Sequence, residues 1–269
     1  MVFPFKSKIK KIPIIYKFLK FLYRKIYLKF FYHKLNLIKI SRLHNTTTGK
    51  YYLPVFAWED TIYKKITNNE TYQKEILDIA KQYVQDNSIV FDIGANYGQL
   101  SILMSKLKTN VKVYSFEAQR FIFQLLKKNV EINNVNIKCF YKLVGNKTEK
   151  FKIKRDELKN FMTWGSNNIE YAGAKDYYQS IDGIKIDDLV INEKVSFMKI
   201  DVQGMDLEVL RGARNTILKH RMPIIFEYEK LFEETYKYTF RDFEEFINSV
   251  DYKIELNLFN DYLILPKEN

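Results

Sequence analysis

The stretch VFDIGANYGQLS, residues 90–101, decides the fold of this chain. A short apolar run ends at Asp92, and small residues then lead into a helical pattern of apolar positions. This order predicts a buried β-strand, a tight turn and the N-terminus of a helix. Gly94 and Gly98 allow the backbone to turn sharply and let a ligand lie against bare peptide groups.

The spacing within this turn indicates which ligand it favours. Dinucleotide-binding turns use a G-x-G-x-x-G spacing to hold a pyrophosphate at a helix N-terminus. Here an acid precedes the first glycine, and its carboxylate suits a ligand with an ammonium group or hydroxyls rather than phosphate. S-adenosylmethionine has those groups and no phosphate, although a glycine-bearing turn of any α/β protein is the alternative. The expected cofactor contacts in the turn are Asp92, Gly94, Ala95, Asn96 and Gly98.

Three further predicted strands also end in an acid, namely Glu117, Asp201 and Glu227. Because the carboxyl ends of parallel strands meet at one edge of a sheet, we expect these acids to lie near Asp92. In doubly wound folds an acid after the second strand accepts hydrogen bonds from ribose hydroxyls, which predicts that role for Glu117. The alternatives are a solvent-facing Glu117 near a helix cap, and an Asp201 that caps a helix or holds the cofactor's amino group.

These segments resemble the FkbM family of S-adenosylmethionine-dependent methyltransferases, which mostly O-methylate sugars and related hydroxyls. The matching pieces, in chain order, are VFDIGANYGQLS, YSFEA, LVGNK, KIDVQGMDLEVLRGA and IIFEYE, with weaker matches in TWGSNN and IKIDDL. The resemblance covers residues 88–229 and implies that Ala118 in YSFEA and Val144 in LVGNK also contact the cofactor. The family's third motif usually contains KIDVEG, and here Gln203 replaces its Glu.

Methyl transfer to a hydroxyl also needs a group that removes a proton. The hydroxyl of a sugar is weakly acidic, so a carboxylate or a histidine must accept its proton as the new bond forms. His33, His44 and His220 lie outside the motifs, so Asp201 and Glu227 are the predicted catalytic residues. Nothing in the spacing of acids, histidines or cysteine requires a metal ion, and we expect none.

The region 148–190, between the third and fourth strands of the motif series, lacks a strong helical period. It contains Trp164, Ser166 and Asn167, and sugar sites favour an aromatic ring for the apolar sugar face and amides for the hydroxyls. We therefore expect these three residues and Gln203 to bind the acceptor, a sugar or glycan. An ordinary hairpin excursion is an equally weighted alternative.

The positive charge of the chain is concentrated at its N-terminus. Residues 1–42 hold twelve Lys or Arg and no Asp or Glu, which accounts for the whole net charge of +12. Basic residues there alternate with Ile, Leu, Phe and Tyr, a pattern that predicts an amphipathic helix lying on an anionic membrane surface. A helix packed on the catalytic domain or on a second subunit of a homo-oligomer, and a nucleic-acid-binding arm, remain open.

The predicted architecture is α/β, with a doubly wound, mostly parallel sheet of the Rossmann-like class I methyltransferase type. Its parts are the basic helical segment 1–42, a connector and helix at 43–87, and the methyltransferase domain at 88–269. The single Cys139 and the absence of a secretory signal pattern predict a cytoplasmic protein, peripheral at the membrane if the basic segment binds there.

Other functional classes are less well supported by the sequence. Base-methylating enzymes commonly use a Pro-Pro turn after the fourth strand; this chain has none, and residues 43–269 carry no net charge, so we expect no nucleic-acid partner. A non-sugar acceptor, a membrane-associated interaction protein with the same fold, and a dehydrogenase remain as alternatives. The first turn, however, lacks the third glycine of a dehydrogenase.

Overall fold

The computed structural model describes residues 41–55, 57, 60–154 and 178–268. Almost all of the predicted amphipathic segment 1–42 therefore lies outside the described residues, as do the predicted acceptor residues Trp164, Ser166 and Asn167. The predictions made for them stay predictions.

The described strands, in chain order, are β1 (Ser41–Thr46), β2 (Gly49–Pro54), β3 (Ile89–Ile93), β4 (Lys112–Glu117), β5 (Ile137–Tyr141), β6 (Leu143–Val144), β7 (Lys150–Lys154), β8 (Tyr178–Ile184), β9 (Val195–Ile200), β10 (Ile224–Glu227), β11 (Tyr252–Leu258) and β12 (Asp261–Pro266). The described α-helices are α1 (Thr61–Thr67), α2 (Lys74–Tyr83), α3 (Gln99–Met104), α4 (Arg120–Asn133), α5 (Asp206–Gly212), α6 (Arg214–His220), α7 (Glu233–Tyr236) and α8 (Phe240–Ser249). Short 3-10 helices occupy Ile186–Asp188 and Lys230–Phe232.

Seven of these strands form one sheet in the order β5-β4-β3-β9-β10-β12-β11. The five strands from β5 to β10 are parallel, and β12 pairs antiparallel with both β10 and β11. This arrangement confirms the predicted doubly wound α/β sheet. The chain runs outward from β3 in one direction through β4 and β5, and in the other through β9 and β10. The strand order therefore reverses between β3 and β9, where sheets of this kind bind ligands.

Both faces of the sheet are covered, which explains the unbroken apolar runs in the central strands. Successive residues of a strand point to opposite faces. Phe91 joins a core cluster with residues of α5, α6 and α8, whereas Val90 joins another with residues of α2 and α3. Every residue of β3 and β9 is buried as a result.

The connector that precedes the sheet is an ordered part of the fold. β1 and β2 form an antiparallel hairpin that packs against α4. The buried Asn129 of α4 accepts a hydrogen bond from the backbone N–H of Tyr52 at 2.6 Å and donates one to the carbonyl of Tyr97 at 2.9 Å. One side chain thus fixes the hairpin to the loop that follows β3.

The helix predicted within the segment 43–87 is α2, which begins at Lys74 because Gln73 has a left-handed backbone conformation that cannot belong to the helix. β11 and β12 form an antiparallel hairpin at the C-terminal end of the sheet. β7 and β8 pair antiparallel across the interval 155–177, as a hairpin excursion would.

Candidate functional site

The turn after β3 lies between the ends of β4 and β9. The backbone N–H groups of Gly94 and Ala95 both donate to the carbonyl of Phe116, at 3.0 and 2.9 Å. Gly94 has a φ of +81°, and a Cβ on it would lie 1.8 Å from the carbonyl oxygen of Asp201. Only glycine allows this approach, so the predicted glycine-dependent turn brings the ends of three strands together.

A cleft opens at this edge of the sheet. It brings together most of the residues that the sequence predicts for the site. Those that line the cleft are Gly94, Ala95, Asn96, Glu117, Ala118, Val144, Asp201 and Gln203. Peptide groups, acids and apolar side chains are all present, as a ligand with a charged end and an aromatic end requires.

Glu117 ties two loops together at the end of β4. Its two carboxylate oxygens accept the backbone N–H of Asn96 at 3.0 Å and that of Gln119 at 2.7 Å. Glu117 also lines the cleft, where a carboxylate can accept hydrogen bonds from hydroxyls. The Gln119 side chain also lines the cleft, and no described residue donates to its buried Oε1. These groups fit the adenosyl part of S-adenosylmethionine, whose ribose and adenine supply such donors.

The structure places Asp92 and Gly98 behind the lining of the cleft. Asp92 is fully buried in β3, outside the lining of the cleft, where its carboxylate accepts a hydrogen bond from the Ser101 hydroxyl. The position is buried because helices cover both faces of β3. Gly98 also lies outside the lining, and a Cβ on it would be 2.5 Å from Cδ1 of Leu126. Both residues support the turn, and their predicted contact with the cofactor stays a prediction.

Lys199 of β9 is the charged residue that connects Asp92 to the cleft. Its Nζ lies 3.3 Å from Oδ1 of Asp92 and 3.5 Å from Oδ2 of Asp201, and it donates to the carbonyl of Gly94 at 3.0 Å. Burial opposes a charged amine, but the carboxylates of Asp201 and Asp92 outweigh it and raise the pKa of Lys199. The lysine therefore stays charged between the two central strands.

Asp201 receives two further donors from amide side chains. Gln73 Nε2 donates to Oδ2 at 3.0 Å, and Gln203 Nε2 approaches Oδ1 at 3.4 Å. Gln203 also approaches Oε2 of Glu227, at 3.5 Å. The residue that replaces the family's Glu therefore bridges the two predicted catalytic carboxyls, and an amide can donate to both where a carboxylate could not.

Three acids around Asp201 are held toward their protonated forms. Burial, followed by the charge of Asp201, raises the pKa of Glu227 to about 9, that of Asp206 to about 8 and that of Asp261 to about 6. Glu227 lies next to the cleft but outside its lining. Of the two predicted catalytic residues, Asp201 is the one that both faces the cleft and has charge-stabilising donors. Among the described residues, no group of three or more His, Cys, Asp and Glu side chains is arranged to hold a metal ion.

Several residues of the site were not predicted from the sequence. Lys199 had a signal, since it is the single charged residue in the buried run VSFMKI. Tyr72, Gln73 and Gln119 had none that is local, because their places depend on contacts with distant parts of the chain.

Comparison with known proteins identifies a family. A family model described as the methyltransferase FkbM domain matches residues 92–254. Methyltransferase sdnD of Sordaria araneosa is 26% identical over a region that covers 56% of this chain and 67% of that protein. A ribosomal protein L11 methyltransferase of Thermoanaerobacter sp. (strain X514) is 36% identical over 28% of this chain and spans only 24% of that protein. The crystal structure of an FkbM methyltransferase from Methylobacillus flagellatus KT has a TM-score of 0.47 at 20% identity and covers 78% of this chain and 57% of that chain.

Replacement of Glu117 tests the ribose site. We expect Glu117→Ala to weaken S-adenosylhomocysteine binding by about 1–3 kcal/mol, because hydrogen bonds to a charged acceptor are lost. Isothermal titration calorimetry measures this change, with the exposed Glu131→Ala as the matched control. Equal affinity of the Glu117 variant and the wild type would remove Glu117 from the cofactor site.

The raised pKa of Glu227 predicts how stability depends on pH. Its carboxyl has a pKa of about 9 in the folded protein, whereas the ordinary pKa of a glutamate is 4.5, so the folded state binds more protons between these pH values. The contribution of Glu227 to the free energy of unfolding therefore decreases as the pH rises from about 4.5 to about 9. Glu227→Gln removes that loss, so the variant should gain about 1–3 kcal/mol over the wild type between pH 5 and pH 8.

Urea unfolding at the two pH values measures the gain, and the exposed Glu244→Gln is the control. A Glu227→Gln variant whose stability relative to wild type is the same at both pH values would contradict the raised pKa.

Proposed function

Because this chain belongs to the FkbM family of S-adenosylmethionine-dependent methyltransferases, we propose that it methylates a sugar hydroxyl of a glycan or glycan precursor. The observation that supports this chemistry is the placement of Asp201. Its carboxylate faces the same cleft as Glu117 and the Gly94 turn, and three side-chain donors surround it. The site thus has a proton acceptor beside the turn that would bind the methyl donor.

The residues for holding the methyl donor lie on one side of the cleft. Glu117 accepts hydrogen bonds from the ribose, and the turn from Gly94 to Asn96 lines the cleft beside it. Phe116 and Val144 provide apolar surfaces for the adenine ring. Bound S-adenosylmethionine supplies a methyl group on a sulfonium, which leaves as a neutral thioether. The protein's contribution is the alignment of the acceptor oxygen with that methyl group.

Asp201 takes the proton of the acceptor hydroxyl in this proposal. Its carboxylate oxygens are held by Lys199, Gln73 and Gln203, so the acid is oriented before the acceptor arrives. Burial and the charge of Asp201 raise the pKa of Glu227 to about 9, which favours its protonated form at neutral pH and makes it the weaker candidate for the base. Its part is to stay uncharged beside Asp201.

The residues that follow β7 in the sequence support a sugar as the acceptor. Ile153, near the end of β7, lines the cleft, and the chain then continues into the interval that carries Trp164, Ser166 and Asn167. An aromatic ring and hydrogen-bonding groups of this kind suit a pyranose, which has an apolar face and a rim of hydroxyls. Gln203 would complete this acceptor site from the cleft side.

The basic N-terminal segment would hold the enzyme at an anionic membrane surface, beside lipid-linked glycan precursors. Its twelve positive charges are unopposed, and each basic residue near an anionic leaflet contributes about 1 kcal/mol. Apolar residues such as Leu19 and Leu22 lie on the opposite side of a helical wheel from Lys17, Lys20 and Arg24. None of the helices in the part of the chain that the structure describes is long and apolar enough to cross a membrane.

Substitution of Asp201 tests the proposed chemistry. We expect Asp201→Asn to lower turnover by about 10² or more, the usual scale of general-base loss, with S-adenosylhomocysteine affinity within a few fold of wild type. Transfer of labelled methyl groups to a panel of methyl glycosides and nucleotide sugars measures turnover. Glu227→Gln should retain most of the activity in the same assay. Full activity of the Asp201 variant, or methylation of no sugar in the panel, would contradict the proposal.

Neutralising the basic face tests membrane binding. We expect Lys17→Gln, Lys20→Gln and Arg24→Gln together to reduce flotation with vesicles of phosphatidylcholine and phosphatidylglycerol by about tenfold or more, since three charges contribute roughly 3 kcal/mol. Lys64→Gln and Lys81→Gln on the folded domain form the control. Equal flotation of the triple variant and the wild type would assign the segment to another role.

A further inference from the structure

Gln73 has an unusual backbone for its residue type. It immediately precedes α2 with φ 50° and ψ 50°, a left-handed conformation that side-chain-bearing residues seldom adopt. Residues at this position usually cap the helix with a side-chain oxygen, but Gln73 makes no such cap. Its amide instead reaches Oδ2 of Asp201 at 3.0 Å, across 128 residues of sequence. Such strain persists only where surrounding contacts fix it, and it is concentrated at functional sites.

Gln99 is the residue that holds the Gln73 segment in place. It is the first residue of α3, directly after the Gly94 turn, and is 3% exposed. Its Oε1 accepts the backbone N–H of Tyr72 at 2.9 Å, and its Nε2 donates to the carbonyl of Glu70 at 2.9 Å and to Oγ1 of Thr48 at 3.1 Å. All three hydrogen bonds of this buried amide fix the connector to the end of the Gly94 turn.

Tyr72 and Gln73 therefore form a wall of the cleft, although they precede the methyltransferase core in sequence. Both line the same cleft as Gly94 and Glu117. Tyr72 interacts electrostatically with Asp201, Lys199 and Glu227, which places it on the Asp201 side of the cleft. Gln99 attaches this wall to the Gly94 turn, and Gln73 connects it to Asp201, the proposed base.

We propose that Gln73 is a positioning residue for methyl transfer, which orients the Asp201 carboxylate toward the acceptor hydroxyl. The inference rests on the proposed role of Asp201 as the proton acceptor. Lys199 and Gln203 approach the two oxygens at long distances, 3.5 Å from Oδ2 and 3.4 Å from Oδ1. The Gln73 contact with Oδ2, at 3.0 Å, is the shortest of the three and therefore restrains the rotation of the carboxylate most.

Two substitutions of similar shape separate this role from packing. Gln73→Met keeps the length of the side chain without its donor, and Gln73→Glu puts a second carboxylate beside Asp201. We expect turnover to fall about tenfold for the Met variant and further for the Glu variant, because misplacement of a catalytic group costs rate. The KM for the acceptor and the affinity for S-adenosylhomocysteine should stay within about threefold, since neither depends on the hydrogen bond to Asp201.

The exposed Gln82→Met, on the helix that follows Gln73, is the matched control and should change none of these values. The acceptors are methyl glycosides, nucleotide sugars, phenols, carboxylic acids and amines, offered with labelled S-adenosylmethionine. If a non-sugar is methylated, the sugar proposal fails and the Gln73 series is measured on that acceptor. Turnover of the Met variant within twofold of wild type, or a tenfold loss of S-adenosylhomocysteine affinity, would overturn the positioning role.

A second measurement needs no acceptor. Introduced into the wild-type protein, Gln73→Met should lower the midpoint of urea unfolding. Introduced into the Asp201→Ala variant, it should leave the midpoint unchanged, because that variant already lacks the hydrogen bond between Gln73 and Asp201. An equal decrease in both backgrounds would show that Gln73 acts through packing alone, and the inference would fail whatever the acceptor is.

Discussion

A buried ion pair network centred on Lys199 connects the core of this protein to its site. The amine joins Asp92 of β3 to Asp201 after β9 and also holds the Gly94 carbonyl, so one cation links both central strands to the turn between them. Removal of one partner from a buried pair leaves an uncompensated charge and commonly costs about 3–5 kcal/mol. The position of Asp201, and with it the chemistry, therefore depends on an interaction inside the sheet.

Charge is distributed unevenly among the acids at this edge. Glu227, Asp206 and Asp261 are buried near Asp201, and their pKa values are raised by burial and by its charge. Asp201 instead receives side-chain donors from three directions, namely Lys199, Gln73 and Gln203. Environments that separate neighbouring carboxyls in this way assign different roles to similar side chains. The substitution of an amide at Gln203 fits this arrangement because it adds a donor where another acid would add repulsion.

The sequence predicted the parts of the fold that local patterns determine. Unbroken apolar runs identified β3, β9 and β10, and the Gly94 turn identified the binding edge, because burial and backbone conformation there depend on neighbouring residues. The pairing of Asp92 with Lys199, 107 positions later, was not predicted because neither segment shows it by itself. Gln73 was overlooked for the same reason, since only tertiary contacts bring the connector to Asp201.

A crystal structure with bound S-adenosylhomocysteine tests the central claim most directly, since it shows which ligand group lies beside Asp201. We expect the ribose hydroxyls to donate hydrogen bonds to Glu117 and the sulfur to be directed toward the space between the Gly94 turn and Asp201. The Asp201 carboxylate should lie free of the ligand's amino group, with Gln73 still bonded to it. A ligand whose ammonium is bound by Asp201 would contradict the account, because that carboxylate would then be a donor-binding residue and not the base.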